Sequence, residues 1–305
     1  MKTTIKVRRT AMAAAACLGV VLACSSCGAI SVAGAPVSPG TQSGTHQKLA
    51  DKLPADIRQK GYVVVATNPM YPPFETLDAD QKTIRGLDPD LLEAMAKQLG
   101  ITVKFQQAGF DSIIPGLQAK RYDMAMSGMT DTVQRQDKVK FVDYFQVGGG
   151  IVMNAGDPAA NGPLPDVLCG KQVGVGIGTI TVDLGKKASE SCTARGRKPI
   201  GIQNFPGVSD SMLALHAGRI GYVWTDTVSA QTQVKKGNGT FVSIPDGTPA
   251  APTGIAFPKD SGALAAAFQS ALQAIIDDGS YKSILDTYGL AGGALDTATV
   301  NGGKD

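Results

Sequence analysis

Histidine is nearly absent from this 305-residue sequence: only His46 and His216 occur. No Cys/His spacing of the kind that holds zinc accompanies them, so neither a metal centre nor a cofactor is expected. No carboxylate pair and no cleft histidine offers itself as a general acid, which argues against an enzyme. Acidic residues are missing from the first 23 positions, which carry Lys2, Lys6, Arg8 and Arg9. Without those four cations the formal charge of +3 becomes −1, and a near-neutral body gives no support for nucleic-acid binding. Long hydrophobic runs are missing too. The one apolar run, 11–23, is short for a membrane span, and nothing apolar follows Leu290. No internal repeat of solenoid period is visible.

What is present begins with a basic start, a short apolar core and small residues, the pattern of a secretory signal over residues 1–23. The sequence VLAC at 21–24 resembles the lipobox of bacterial lipoproteins. That resemblance implies a lipid on Cys24 and an extracytoplasmic protein anchored to the cell membrane by that lipid alone. Cys27 is a second candidate, and ordinary cleavage between residues 29 and 35 is the alternative. Residues 24–47, rich in Gly, Ser, Pro and Ala, read as a lipidated, disordered tether. Cys169 precedes an expected strand and Cys192 ends an expected helix. A helix runs back beside its strand, which places both cysteines at one edge. In an oxidising compartment a disulfide is the default, with two free buried thiols as the alternative.

Strands and helices alternate along the rest. GYVVVAT at 61–67, 101–105 and 122–126 read as strands of a first series, with helices after Asp88 and Asp111 as caps. Gly148-Gly149-Gly150 inside an extended run suggests a crossing point. A second series follows, with strands at 172–175, 199–203 and 221–224 and helices at 182–191 and 208–217. Residues 254–258 read as the crossing back, and 264–276 and 281–288 as two closing helices. Such alternation predicts a mainly parallel α/β architecture. The expected division is 48–147 with 259–290 as one lobe, 148–258 as the hinge strands and second lobe, and 291–305 as a loose tail.

The stretch SGMTDTVQR at 127–135 follows a buried strand and breaks into hydroxyls and a glycine. Gly128 lets backbone approach a ligand, Ser127, Thr130 and Thr132 offer hydroxyls, and a helix start favours an anion. Arg135 adds a planar fork suited to a carboxylate. Ligands in open α/β sheets bind beyond the carboxyl ends of strands. By that rule residues 68–71, Phe110, 127–135, 178–181 and 225–227 face one site. An arginine from one series and an aspartate from the other would clamp a zwitterion. The plainer readings are a capped helix for 127–135, rim or core aromatics for Tyr71 and Phe110, a cap for Asp226 and a turn for Asn68.

Several ordered motifs carry a resemblance. They are YPPFE at 71–75, GLDPDLLEAMAKQLG at 86–100, FDSIIPGLQAKRYDMAMSGMT at 110–130, GRIGYVWTD at 218–226 and GSYKSILDTYGL at 279–290. Together they resemble the family 3 extracellular solute-binding proteins, receptors for polar amino acids in ABC importers. The resemblance implies a two-lobe, periplasmic-binding-protein-like fold of type II, a venus flytrap with two hinge crossings. It implies that Arg135 binds the α-carboxylate and that Ser127, Gly128 and Thr130 hold the carboxylate and ammonium from the first lobe. It implies too that the turn at Thr179 and Ile180 reaches the carboxylate through the Ile180 N–H, and that Asp226 takes the α-ammonium from the second lobe. Tyr71 and Phe110 would sandwich the ligand side chain, and Asn68 would read its far end. Ile180 stands where the family carries a second threonine, and Asn68 where it often carries an aspartate. The neutral Asn68 weakens a strict preference for Lys or Arg.

The function implied is a monomeric receptor lipoprotein. It would capture a free polar amino acid, neutral or basic, and dock on the transmembrane subunits of an ABC permease. The alternatives are an enzyme on this fold, resembling cyclohexadienyl dehydratases, and a sensory ligand-binding module.

Overall fold

A computed structural model describes residues 48–304. The expected signal peptide and the whole of the tether, with Cys24 and Cys27, lie outside the described residues. The first series opens with a short helix, α1 (Ala55–Lys60), and β1 (Tyr62–Thr67). The valines of β1 suit a pleated, buried surface, and Val63 and Val65 are fully buried. A three-stranded ribbon follows: β2 (Met70–Tyr71), β3 (Glu75–Leu77) and β4 (Ile84–Arg85). Then come α2 (Leu87–Gln98), β5 (Thr102–Gln107), α3 (Phe110–Gln118), β6 (Met124–Ala125), the single turn α4 (Val133–Gln136) and the long β7 (Val139–Val147).

The second series runs β8 (Gly149–Asn154), β9 (Gln172–Gly176), α5 (Ile180–Ala194), β10 (Gly201–Phe205), α6 (Val208–His216), β11 (Tyr222–Asp226), α7 (Thr227–Lys236) and β12 (Phe241–Pro245). The chain then returns through β13 (Ala251–Pro258) to α8 (Gly262–Asp277), α9 (Ser280–Tyr288) and β14 (Thr299–Val300).

Two sheets result. The first has the order β14-β7-β13-β6-β1-β5 and the second β10-β9-β11-β8-β12. Each has its own core: Leu91, Leu92, Met95, Phe257, Phe268 and Leu272 in the first lobe, Val173, Val175, Tyr222 and Trp224 in the second. The closing helix α8 repeats apolar residues at Leu264, Phe268, Leu272 and Ile275, which are buried against α2 and the sheet. Fully burying each such side chain contributes about 1.5–3 kcal/mol. In the second lobe Cys169 is joined to Cys192 by a disulfide, with the Cα atoms 5.7 Å apart.

Two connections join the lobes. Gly148 links β7 to β8, and residues 246–250 link β12 to β13. They are clasped together: the Asp246 N–H donates to the Gly149 carbonyl at 3.0 Å, and the Gly149 N–H donates to Thr248 Oγ1 at 3.1 Å.

Four expectations are corrected. The return crossing is at 246–250, not 254–258, because β13 pairs with β7 along its whole length, from Ala251 opposite Val147 to Pro258 opposite Val139. Gly254 serves close packing under Phe141 and Asp143 instead. The tail is not loose: Ala298 is buried and β14 pairs with β7, Thr299 opposite Asp143. Asp88 and Asp111 are not caps. Gly86 and Gly109 hold those positions, and Asp88 turns inward and is buried. The sequence reading also lacked α7 and β12.

Candidate ligand-binding cleft

The carboxyl ends of β1, β6, β9 and β11 converge on a cavity of about 520 Å3 between the two sheets. Every expected ligand-binding residue lines it except Ser127. Asn68 comes from the turn after β1, Tyr71 from β2, Gly128, Thr130 and Arg135 from the loop and turn after β6, and Phe110 from the start of α3. Thr179 and Ile180 come from the start of α5, and Asp226 from the end of β11.

Arg135 is held by both lobes. Its Nη1 donates to the Thr130 carbonyl at 2.7 Å and its Nη2 to the Gly178 carbonyl at 3.0 Å, across the cleft. Thr132 caps α4 and accepts from the Arg135 N–H at 3.2 Å, which fixes where the side chain departs. The guanidinium carbon stands 5.5 Å from the Phe110 ring centre, within cation–π range. Burial pulls its pKa down to about 10, so it remains cationic at neutral pH. Two of its five donors are spent on carbonyls, leaving the rest of the fork.

Asp226 lines the same cavity from the second lobe and is buried. It accepts from the Ser229 N–H at 2.8 Å as the cap of α7, and from the Tyr71 hydroxyl across the cleft. The capping reading therefore holds for this residue, which also lines the cavity. Burial, and then the charge of Asp226, hold the Tyr71 phenol well above its ordinary pKa, so it stays a donor. Asn68 donates through Nδ2 to the Pro206 carbonyl at 3.0 Å, a third contact between lobes. Thr179 Oγ1 donates to the Gly176 carbonyl and meets Thr181 Oγ1, both at 2.7 Å, so its hydroxyl is committed within the turn. Ile180 opens the fifteen-residue α5, whose first turn presents backbone N–H groups.

Ser127 departs from expectation. Its hydroxyl accepts from the Asn68 N–H at 3.0 Å and donates to Glu75 Oε1 at 2.7 Å, behind the cavity wall. It positions Asn68 and does not reach the cavity. Gly128 lines the cavity with φ +53, and an added Cβ would lie 2.5 Å from the Tyr71 ring. Only glycine lets that ring lie flat against the loop.

Behind this wall lies a carboxyl pair that sequence reasoning missed. Asp88 accepts from the Gly128 N–H at 2.9 Å and from the Tyr144 hydroxyl at 2.7 Å. Burial pushes its pKa up to about 6. Burial, and then the Asp88 charge, hold Glu75 far above the carboxylate range, so Glu75 is neutral. Both residues are sealed from the cavity. The carriers were in view, within YPPFE and GLDPD, but nothing in the sequence said that the two meet. The cavity also gains Trp224, Asp246 and Lys304, none of which was expected there. Among the described residues no group of His, Cys, Asp and Glu could hold a metal ion, and no helix is long and apolar enough to cross a membrane.

The model of the family described as bacterial extracellular solute-binding proteins, family 3, matches residues 63–291. The arginine-binding protein ArgT of Corynebacterium glutamicum is 32% identical over 251 residues, 82% of this chain and 81% of that protein. Among solved structures, an ancestral arginine-binding protein bound to arginine superposes with a TM-score of 0.69 at 31% identity, covering 75% of this chain and 98% of that one. The same coverage holds for an ancestral arginine-binding protein bound to glutamine, with a TM-score of 0.68 and 32% identity.

Proposed function

Because this chain belongs to the bacterial extracellular solute-binding proteins of family 3, we propose that its cleft captures one free polar amino acid and hands it to an ABC permease. One observation carries the reading: Arg135 and Asp226, of opposite charge and from opposite lobes, line the same cavity. A zwitterion would set its α-carboxylate on the remaining fork of Arg135 and the first turn of α5. Its α-ammonium would meet Asp226 and the Thr130 side. Closing the lobes around such a ligand removes both charge pairs from water, where each is worth more. Closure also creates a joint outer surface for a permease to read.

The side-chain end of the site is Asn68, Tyr71 and Phe110. Asn68 spends Nδ2 on Pro206, which leaves Oδ1 to accept from a ligand N–H. Carboxamide and guanidinium ligands both supply such a donor. The relative named for arginine and the homologous structure holding glutamine make these two amino acids the leading candidates. We propose further that Cys24 carries the lipid that anchors the receptor to the cell membrane. Cys24→Ala should then release the protein into the medium; a variant that stays membrane-bound and labels with fatty acid moves the anchor to Cys27.

The deciding experiment is calorimetry with the common amino acids on protein refolded to strip endogenous ligand. Binding of a polar amino acid that Arg135→Ala abolishes is expected. Absence of binding for every amino acid, or binding indifferent to Arg135→Ala, overturns the reading.

A further inference from the structure

The family match ends at residue 291, yet the chain beyond it is built into the first lobe. β14 adds to the edge of the sheet beside β7, the strand that leads into the crossing. Thr299 Oγ1 and the Gly302 N–H both donate to Asp143 Oδ2 at 2.9 Å. Asn301 Oδ1 accepts from the Phe141 N–H at 2.8 Å. The segment then leaves the strand and reaches the loop of the cleft. The Gly303 N–H donates to Asp131 Oδ2 at 2.9 Å. Gln136 Nε2 closes the contact, donating to Asp131 Oδ1 at 2.9 Å and to the Gly303 carbonyl at 3.0 Å.

The fit is tight. A Cβ on Gly303 would stand 2.1 Å from the Asp131 carbonyl oxygen, which no side chain tolerates. Asp131 is itself buried and lies between the two residues that orient Arg135. Thr130 on one side supplies the carbonyl that accepts from Nη1, and Thr132 on the other caps the turn that carries Arg135. The Asp131 N–H donates to the Pro252 carbonyl at 2.9 Å, beside the second crossing. Lys304, the next residue, lines the cavity.

We infer that the segment 299–304 is a positioning clasp of the ligand site. By holding Asp131 and Gln136 on either side of Arg135 it sets the guanidinium toward the ligand carboxylate. An edge strand that merely covered β7 would not need Gly303 or its contact with Asp131. This role rests on the amino acid receptor reading above.

Two variants test it in the full protein: Gly303→Ala, whose added carbon collides with Asp131, and a chain ending at Ala298. Two readouts are taken. Hydrogen exchange over 129–136 reports the clasp without any ligand. Titration with L-arginine and with L-argininamide, which keeps the guanidinium and ammonium but lacks the carboxylate, reports the positioning. Both variants should exchange faster over 129–136. They should also lose L-arginine affinity by roughly threefold to thirtyfold, the range for residues that act through others, with a smaller loss for L-argininamide. Unchanged exchange overturns the clasp. Equal losses for the two ligands reduce the segment to a structural edge and overturn the positioning role. If the unaltered protein binds neither ligand while the exchange difference holds, the failure lies with the receptor reading, and the positioning role falls with it.

Discussion

Tyr71 donates its phenolic hydrogen to Asp226 across the cleft, tying β2 in one lobe to the end of β11 in the other. The Tyr71 ring is stacked on Phe74 at 5.2 Å between ring centres, so the first lobe presents the hydroxyl from a rigid base. Asp226 at the same time caps α7. One carboxylate thus serves a helix start, a contact between lobes and, on the proposed function, the ligand ammonium.

Those roles separate by substitution. Asp226→Asn keeps Oδ1 as the acceptor for the Ser229 N–H, puts an amide NH2 in place of Oδ2 from which the Tyr71 hydroxyl can accept, and removes the charge. Since Asn caps about as well as Asp, its melting temperature should stay near that of the parent. Amino acid binding should weaken by roughly 2–5 kcal/mol, the cost of leaving a ligand charge desolvated and unpaired. Asp226→Ala should lose the same affinity and also stability: about 1 kcal/mol for the cap and about 1–3 kcal/mol for an orphaned Tyr71 hydroxyl. Paired thermal melts and calorimetry decide this. Parental affinity in the Asn variant would remove Asp226 from the ligand site.

What could be read in the sequence follows from which interactions are local. The valines of β1, the repeat of Leu264, Phe268 and Leu272 in α8, and the order of strands and helices are patterns within single elements, and they appear in the structure. Arg135 and Asp226 could be placed at the cavity because one follows the loop after β6 and the other ends β11, at the rim where open α/β sheets bind ligands. The tail was misread because Gly, Ala and Thr carry no periodicity. Its order comes from backbone donors meeting Asp131 and Asp143, more than 150 positions away. Ser127 was misassigned for a similar reason: its hydroxyl has a partner in Glu75, and a hydroxyl's direction is set by partners that local sequence does not name.

The Cys169–Cys192 disulfide closes a loop with a sequence separation of 23. Restricting the unfolded chain in this way stabilises by roughly 3 kcal/mol in the chain-entropy model. The paired variant Cys169→Ser with Cys192→Ser should melt lower, with the loss in the second lobe, where Cys192 is buried among Leu168, Ala188 and Ile200. The intact mass of the exported protein should show no free thiol in the described region. A variant that melts like its parent would sink the estimate.

Asp143 gives global stability a pH dependence of definite sign. Burial, and then the charge of Asp131, push its pKa up to about 7, while the Thr299 hydroxyl and the Gly302 N–H pull it back only in part. A carboxyl whose folded pKa lies above its unfolded value of about 3.9 stabilises fully below that value. That contribution is lost as pH rises through the folded pKa. The midpoint of urea unfolding should therefore be higher at pH 5 than at pH 8. Asp143→Asn keeps an acceptor for Thr299 and Gly302 and should flatten the dependence. Asp88, with its pKa raised to about 6, adds a dependence of the same sign to global stability and would persist in that variant. A midpoint that falls as steeply with pH in Asp143→Asn as in the parent would contradict the assignment.

Selectivity is expected to turn on Asn68. Its Nδ2 holds the Pro206 carbonyl, so its Oδ1 is the part left for a ligand. Asn68→Asp changes both ends of that arrangement, because a carboxylate accepts hydrogen bonds and donates none. The contact to Pro206 is lost and a negative charge faces a carbonyl oxygen, at a cost of about 1–3 kcal/mol for every ligand. Against that, a guanidinium gains a charge-assisted hydrogen bond worth about 1.5–3 kcal/mol, which a carboxamide does not. Glutamine affinity should therefore fall, arginine affinity should stay near its parental value, and the ratio should move toward arginine by roughly tenfold to a hundredfold. Competition titration of the two amino acids on parent and variant measures that ratio directly, free of any change in the fraction of active protein. A ratio that does not move would make Asn68 a structural link between the lobes and shift side-chain recognition to Tyr71, Phe110 and the second-lobe wall.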